Sequence, residues 1–141
     1  MRPRLSFPPT SLQLIVNGDK HQIRCLIRKK WLVLTPEEWV RQHVIGYLIQ
    51  SKKIAPSRIA VEKGIIYNSR QKRWDIVTYD DYGKPEILIE CKGHEIPLSQ
   101  ETLVQIGSYQ QQVNAKKLVV TNGLDCFTFD LVQWRSGIES I

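Results

Sequence analysis

Apolar and polar positions change rhythm several times along the chain, and each change predicts an element. In residues 12–27, LQLIVNGDKHQIRCLI, two apolar runs flank Asn17-Gly18-Asp19, which predicts a β-hairpin. The preceding residues 1–11 hold three of the seven prolines and read as a loose arm. The next segment, TPEEWVRQHVIGYLIQ, opens with Thr35 in capping position, Pro36 at the first helical position and Glu38 three residues after the cap. These are strong start signals for a helix from about Pro36 to Gln50. Three β-rich runs follow, RIAVEKGIIY, KRWDIVTYD and PEILIECKG, the last two joined by the turn Asp81-Tyr82-Gly83-Lys84, and they predict an antiparallel meander. Behind Ser99 as a cap, Leu103, Ile106 and Val113 fall at helical spacing and predict a second helix. KKLVVT, ended by Asn122-Gly123, and CFTFD then read as two further strands.

A strand-helix-strand passage normally lays its second strand parallel to the first, with a right-handed crossover. The expected architecture is therefore α/β, a central mixed β-sheet flanked by helices. At 141 residues the chain is long enough for one core but hardly for two. We expect one compact domain, with the N-terminal arm and β-hairpin in 1–33 and the core in 34–141.

Composition changes the picture little. A net charge of +6 and a pI near 9.3 lean toward an anionic partner such as nucleic acid. The three cysteines, Cys25, Cys91 and Cys126, lie far apart and form no C-x-x-C pair, which excludes a disulfide framework and a cysteine zinc site. They suit a reducing cytoplasm. No stretch approaches a membrane span or a signal-peptide apolar core, so neither export nor a membrane partner is expected. The absence of G-x-x-x-x-G-K-[ST] excludes a recognisable nucleotide motor.

The chemistry gathers at the end of the meander. Asp75 lies within one strand pattern and Glu90-Cys91-Lys92 closes the next, so the hairpin brings their polar groups to one end of the sheet. Glu90 and Lys92 share a face, while Cys91 turns with Ile87 and Ile89 to the other. A charged pair ending the apolar run ILIECK is costly to bury unless something pairs with it, and a hard divalent cation held by carboxylates is one solution. Two carboxylates can hold Mg²⁺ while Lys92 orients a water and offsets phosphoryl charge, a set that suits phosphodiester hydrolysis. Glu-x-Lys by itself is weak, because chance supplies such a triplet in most chains of this length. It gains weight as the single [DE]-x-K of this chain, at the end of a core strand and across a hairpin from a strand Asp. Gln105 and Tyr109, four apart, share a helix face beside the apolar stripe.

With these residues in view, RWDIVTYDDYGKPEILIECKG followed by QIGSY resembles the nuclease domain at the N-terminus of type I restriction enzyme motor subunits, over roughly Leu34 to Gly123. That family belongs to the PD-(D/E)XK nucleases. The resemblance implies a restriction-endonuclease-like αβββαβ core with Asp75, Glu90 and Lys92 at the catalytic centre. It further implies Mg²⁺, replaceable by Mn²⁺, on Asp75 and Glu90, and Gln105 and Tyr109 in support. The implied partners are DNA and, within a restriction system, a helicase or a methyltransferase/specificity subunit. Trp74 stands where many members of the superfamily have Pro, although Arg73-x-Asp75 is a familiar variant. Many such nucleases add a Glu from the first helix. At 100° per residue Glu37 falls among Val40, Val44 and Leu48, whereas Glu38 is accounted for by a capping box with Thr35, so Glu37 is the expected member.

Lys52, Lys53, Arg70, Lys72 and Arg73 are candidates for phosphate contacts, and His94 sits in a loop beside the expected site. His21 and His43 show no ligand spacing, and Trp31, Trp39 and Trp134 are assigned to packing. The rival from another class is a non-catalytic DNA-binding or assembly module that keeps the fold. Carboxylates set beside a polyanion argue against it, because they repel phosphate.

Overall fold

The computed structural model describes residues 2–67, 70–105, 114–130 and 133–141, with only the backbone described in strand positions from 62 to 73. Two sheets are present among them. A three-stranded antiparallel sheet joins β1 (Leu14–Asn17), β2 (Lys20–Arg24) and β3 (Trp31–Val33). The larger sheet has six strands in the order β4 (Ile59–Tyr67), β5 (Arg70–Tyr79), β6 (Pro85–Cys91), β7 (Lys117–Thr121), β8 (Cys126–Phe129) and β9 (Trp134–Ser136). β6 and β7 run parallel and the other neighbours antiparallel, the mixed sheet expected from the strand-helix-strand passage.

Helix α1 covers Pro36–Gln50, the segment its start signals define. The Glu38 N–H donates to Thr35 Oγ1 at 3.0 Å, which satisfies one of the amides a helix N-terminus leaves without an intrahelical partner. At the other end Lys53 turns left-handed (φ 59), a conformation that more often falls to Gly, and the Ile54 N–H returns to the Leu48 carbonyl at 2.9 Å. A second helix, α2, covers 100–105 of the described residues, and the Ser99 hydroxyl accepts from the Thr102 N–H at 3.3 Å at its start.

The two faces of the large sheet are covered differently. Val40, Val44, Ile45 and Leu48 of α1 pack on Ile76, Ile87, Ile89, Cys91 and Val119. On the opposite face Trp74, Val77, Leu88, Leu118 and Val120 form a second core against which Leu98 and Leu103 pack. Each fully buried aliphatic side chain contributes roughly 1.5–3 kcal/mol by leaving water.

Three features differ from the sequence reading. The N-terminal arm is seated: Leu5 and Phe7 are buried in the α1-side core, Phe7 meets Tyr47 edge-on at 5.5 Å, and Ser6 bonds Gly123 and Leu124 through its N–H and hydroxyl. Its prolines remove helix and ladder options but not the hydrophobic gain of two apolar side chains. The predicted hairpin carries a third strand, β3, too short to show alternation. Trp134–Ser136 adds the edge strand β9, with Trp134 packed on Phe129 at 5.2 Å.

Candidate active site

Helix α1 buries more than its apolar stripe. Glu38, Arg41, Gln42 and His43 are all buried, and three of them form one connected network. Gln42 Oε1 accepts from the Leu26 N–H at 2.9 Å, and Gln42 Nε2 donates to Glu38 Oε2 at 2.8 Å. Glu38 Oε1 accepts from Arg41 Nη1. Arg41 Nη2 donates to Glu37 Oε1 at 2.8 Å and to Asp75 Oδ1 at 2.6 Å. The network thus runs from the loop after β2, through one turn of helix, to the sheet. It corrects the helical-wheel reading: the Glu38 side chain is 7% exposed and that of Glu37 46%. The Glu38 carboxylate faces inward to Arg41 and Gln42, since two buried donors without acceptors would cost more than a returned capping bond contributes.

The sheet supplies the other half. The β5–β6 register runs from Tyr79–Pro85 to Ile76–Ile89, and one residue beyond it the Cys91 N–H donates to Asp75 Oδ2 at 2.7 Å. A side chain there accepts a bond that a backbone carbonyl would take within the ladder. Asp75 is consequently fixed through both oxygens, by Arg41 and by the Cys91 amide. Glu90 is held in parallel register opposite Val120, and the Lys92 N–H donates to the Thr121 carbonyl at 2.9 Å. Lys92 Nζ lies 3.7 Å from Glu90 Oε1, while Glu90 Oε2 is buried with no hydrogen-bond partner.

The electrostatics are lopsided. Burial, and next the Asp75 carboxylate beside it, push Glu90 up to about 8. Burial and Asp75 likewise raise Glu37. Burial alone would lower Arg41, but the carboxylates of Asp75 and Glu38 outweigh it and hold the guanidinium firmly charged. Burial keeps the Cys91 thiol protonated, far from the thiolate that a soft metal needs. Four carboxylates, Glu37, Glu38, Asp75 and Glu90, therefore share two cations, Arg41 and Lys92.

This donor set fits a hard divalent cation. The oxygen of Glu90 without a partner and the surplus of negative charge are what such an ion would satisfy. Among the described residues no group of three or more His, Cys, Asp or Glu is arranged to hold a metal, which leaves carboxylate pairs such as Asp75 and Glu90 to be considered. Mg²⁺ suits a pair, because it commonly keeps several waters and takes one or two carboxylates plus substrate phosphates.

Glu37, Asp75, Glu90 and Lys92 are thus brought together, and Glu37 and Lys92 line an open cleft of about 500 Å³ with Thr35, Pro36, Gly93 and Thr102. Thr35 and Pro36 also border a neighbouring cavity of about 730 Å³, lined by Arg2, Trp39, His21 and His94. Gln105 lies on α2, and Tyr109 falls outside the described residues. Lys52 and Lys53 are exposed beyond the far end of α1, whose span from Glu37 to Gln50 is about 20 Å at 1.5 Å per residue. Arg70, Lys72 and Arg73 lie on β5, where their side chains are not described. The sequence reading missed Arg41 and Gln42. Their spacing carried a signal, because Arg41 is four residues from Glu37 and three from Glu38, the separations at which helix side chains meet.

Among the described residues no helix is long and apolar enough to cross a membrane. Of known proteins, a fragment of a candidate HsdR subunit of a type I restriction enzyme from Vibrio vulnificus YJ016 is similar in structure, with TM-score 0.56 and 22% identity over 74% of this chain. This chain spans 23% of that one. A candidate nuclease belonging to DUF820 from Anabaena variabilis ATCC 29413 superposes with TM-score 0.50 and 11% identity, over 86% of this chain and 79% of that one. At these identities the likeness concerns the fold alone, a restriction-endonuclease-like α/β arrangement. No curated protein matches the sequence. The family described as type I restriction enzyme R protein N terminus matches residues 36–141, about three quarters of the chain, and the chain belongs to that family.

Proposed function

We propose that this protein is a divalent-metal-dependent nuclease that hydrolyses DNA phosphodiester bonds, with Asp75, Glu90 and Lys92 at its centre. The observation that carries this reading is Glu90, a buried carboxylate with one oxygen unpartnered, beside Asp75 and next to Lys92, which itself lines a cleft. A fold needing only stability would replace such a group by an apolar one.

Asp75 and Glu90 would hold Mg²⁺ or Mn²⁺, which supplies Lewis-acid stabilisation of the phosphoryl oxygens. The Cys91 amide and Arg41 fix the Asp75 carboxylate so that little reorganisation is needed when substrate arrives. Lys92 Nζ, partly exposed toward the cleft, orients the attacking water and offsets charge that develops on the phosphoryl group. Gln105 and Tyr109 support the centre and the DNA backbone. Lys52, Lys53, Arg70, Lys72 and Arg73 supply phosphate contacts that carry no direct sequence information. The natural setting is a type I restriction system, with a helicase or methyltransferase/specificity subunit as partner.

One observation favours a second reading, a binding module that keeps the fold: both Asp75 oxygens already have protein donors. Cleavage of labelled duplex, single-stranded and branched DNA, and of RNA, in Mg²⁺ or Mn²⁺ against EDTA decides between them. Metal-dependent cleavage supports the nuclease. Binding without cleavage of any substrate would leave the module.

A further inference from the structure

Arg41 sits in an unusual place for a helix arginine. Its side chain is 6% exposed, and a single nitrogen, Nη2, touches two carboxylates from different elements, Glu37 Oε1 at 2.8 Å and Asp75 Oδ1 at 2.6 Å. Two-metal phosphodiesterases hold their ions about 3.5–4 Å apart, and a second ion beside Asp75 would here have to reach Glu37 across the same gap. Nη2 occupies the space between those oxygens. An ion binding both at about 2.0–2.1 Å would have to stand where the nitrogen stands.

Nor is Arg41 free to swing aside. Nη1 is tied to Glu38, and Glu38 is tied through Gln42 to the Leu26 amide, so the guanidinium is anchored on the side away from the cleft. Glu90 faces the opposite situation, with one carboxylate oxygen unpartnered. Positive charge is therefore already built in between Glu37 and Asp75, whereas on the Glu90 side Lys92 lies 3.7 Å from Oε1 and Oε2 keeps no partner.

We propose that Arg41 takes the place of a second divalent cation, so that the site accepts one metal ion, on Asp75 and Glu90, and Glu37 serves as the partner of Arg41 rather than as a metal ligand. Arg41 is a positioning residue: it fixes Asp75 Oδ1 and blocks the second position. The inference rests on the nuclease reading above, and its test separates the two.

The full chain is titrated with Mn²⁺ by calorimetry, and the bound Mn²⁺ is examined by electron paramagnetic resonance. The parent should bind one ion, with the six-line spectrum of an isolated Mn²⁺. Arg41→Lys, which keeps a cation, should also bind one. Arg41→Gln removes the charge from between Glu37, Glu38 and Asp75 and should bind two, with the broadened spectrum of a coupled pair. Two ions in the parent, or one in an Arg41→Gln protein that is folded by circular dichroism, would overturn the role of Arg41. No Mn²⁺ bound by the parent would instead sink the metal-dependent nuclease reading, and this inference with it. Should Arg41→Gln fail to fold, the parent decides alone, since a coupled-pair spectrum refutes the proposal and an isolated-ion spectrum at saturation upholds it.

Discussion

The two faces of the six-stranded sheet solve the same packing problem with different chemistry. On the far face Trp74, Val77, Leu88, Leu118 and Val120 meet Leu98 and Leu103 as apolar surfaces. On the α1 face a similar apolar cluster gives way, at the N-terminal end of the helix, to a chain of buried polar groups: Gln42, Glu38, Arg41 and Asp75. Buried ion networks are weak stabilisers, because desolvation offsets most of the attraction. The far face shows that this sheet can be covered without them. The polar end of the α1 face is thus where the protein gives up stability, as the proposed active site would require.

That contrast can be broken in several ways. The largest effect belongs to the apolar face, where Leu88→Ala should cost about 2–5 kcal/mol in denaturant unfolding, because a fully buried leucine leaves a cavity. The loss should be the same with EDTA or Mn²⁺ present. A metal-dependent loss would mean that the two faces are not independent.

Lys92→Ala should lower the cleavage rate at saturating DNA roughly 10²-fold or more while leaving affinity in Ca²⁺ nearly unchanged, since its charge acts on the transition state. Lys92→Arg should rescue poorly, a planar guanidinium being no substitute for a compact ammonium. The control Lys72→Ala should reduce affinity and spare the rate. Parent-like cleavage by Lys92→Ala would remove the catalytic assignment.

A third test uses pH. Glu90 is pushed up to about 8 in the folded, metal-free protein against an ordinary value of 4.5. A raised acid binds its proton more tightly folded than unfolded, so its contribution is fully present below pH 4.5 and is lost as pH climbs through about 8. In EDTA, stability should therefore fall across this window, by about 2 kcal/mol after allowance for relaxation around the site. Glu90→Gln should flatten the slope. An equal slope in parent and variant would show that Glu90 is not the strained group.

The smallest effect concerns the distant lysines. Replacing Lys52 and Lys53 with Ala should shift affinity a few-fold, about equally for unrelated sequences, and reduce the salt slope of log K by about 2, near one per phosphate contact. An unchanged slope would remove that end of α1 from the DNA path.

Much of this was legible in the sequence. Thr35 and Pro36 set the start of α1 by local rules, and the meander and its parallel neighbour follow from turn residues and crossover geometry. Asp75, Glu90 and Lys92 could be placed together at one sheet end because a hairpin and two-residue strand spacing bring them there. The inward turn of Glu38 was not legible, since it depends on Arg41 and Gln42 finding acceptors in three dimensions. Neither was the seating of Leu5 and Phe7, whose partners lie across the whole fold. Tyr109 lies outside the described residues, and its part in the site remains a proposal.

The arm has a consequence for the order of assembly. The Ser6 hydroxyl meets the Leu124 carbonyl across 118 positions of chain, and Leu5 lies against Gly123, where φ is +88 and an added Cβ would stand 2.8 Å from the leucine. Contacts so far apart in sequence form late, after the entropy of closing the intervening loop has been offset by others. During synthesis the arm is made well before the loop after β7, and it cannot dock there until that loop exists. Leu5 and Phe7 enter the same core as Val40 of α1, the helix that carries Glu37 and Arg41. Seating of the arm therefore closes the core on which the helix bearing the site residues packs.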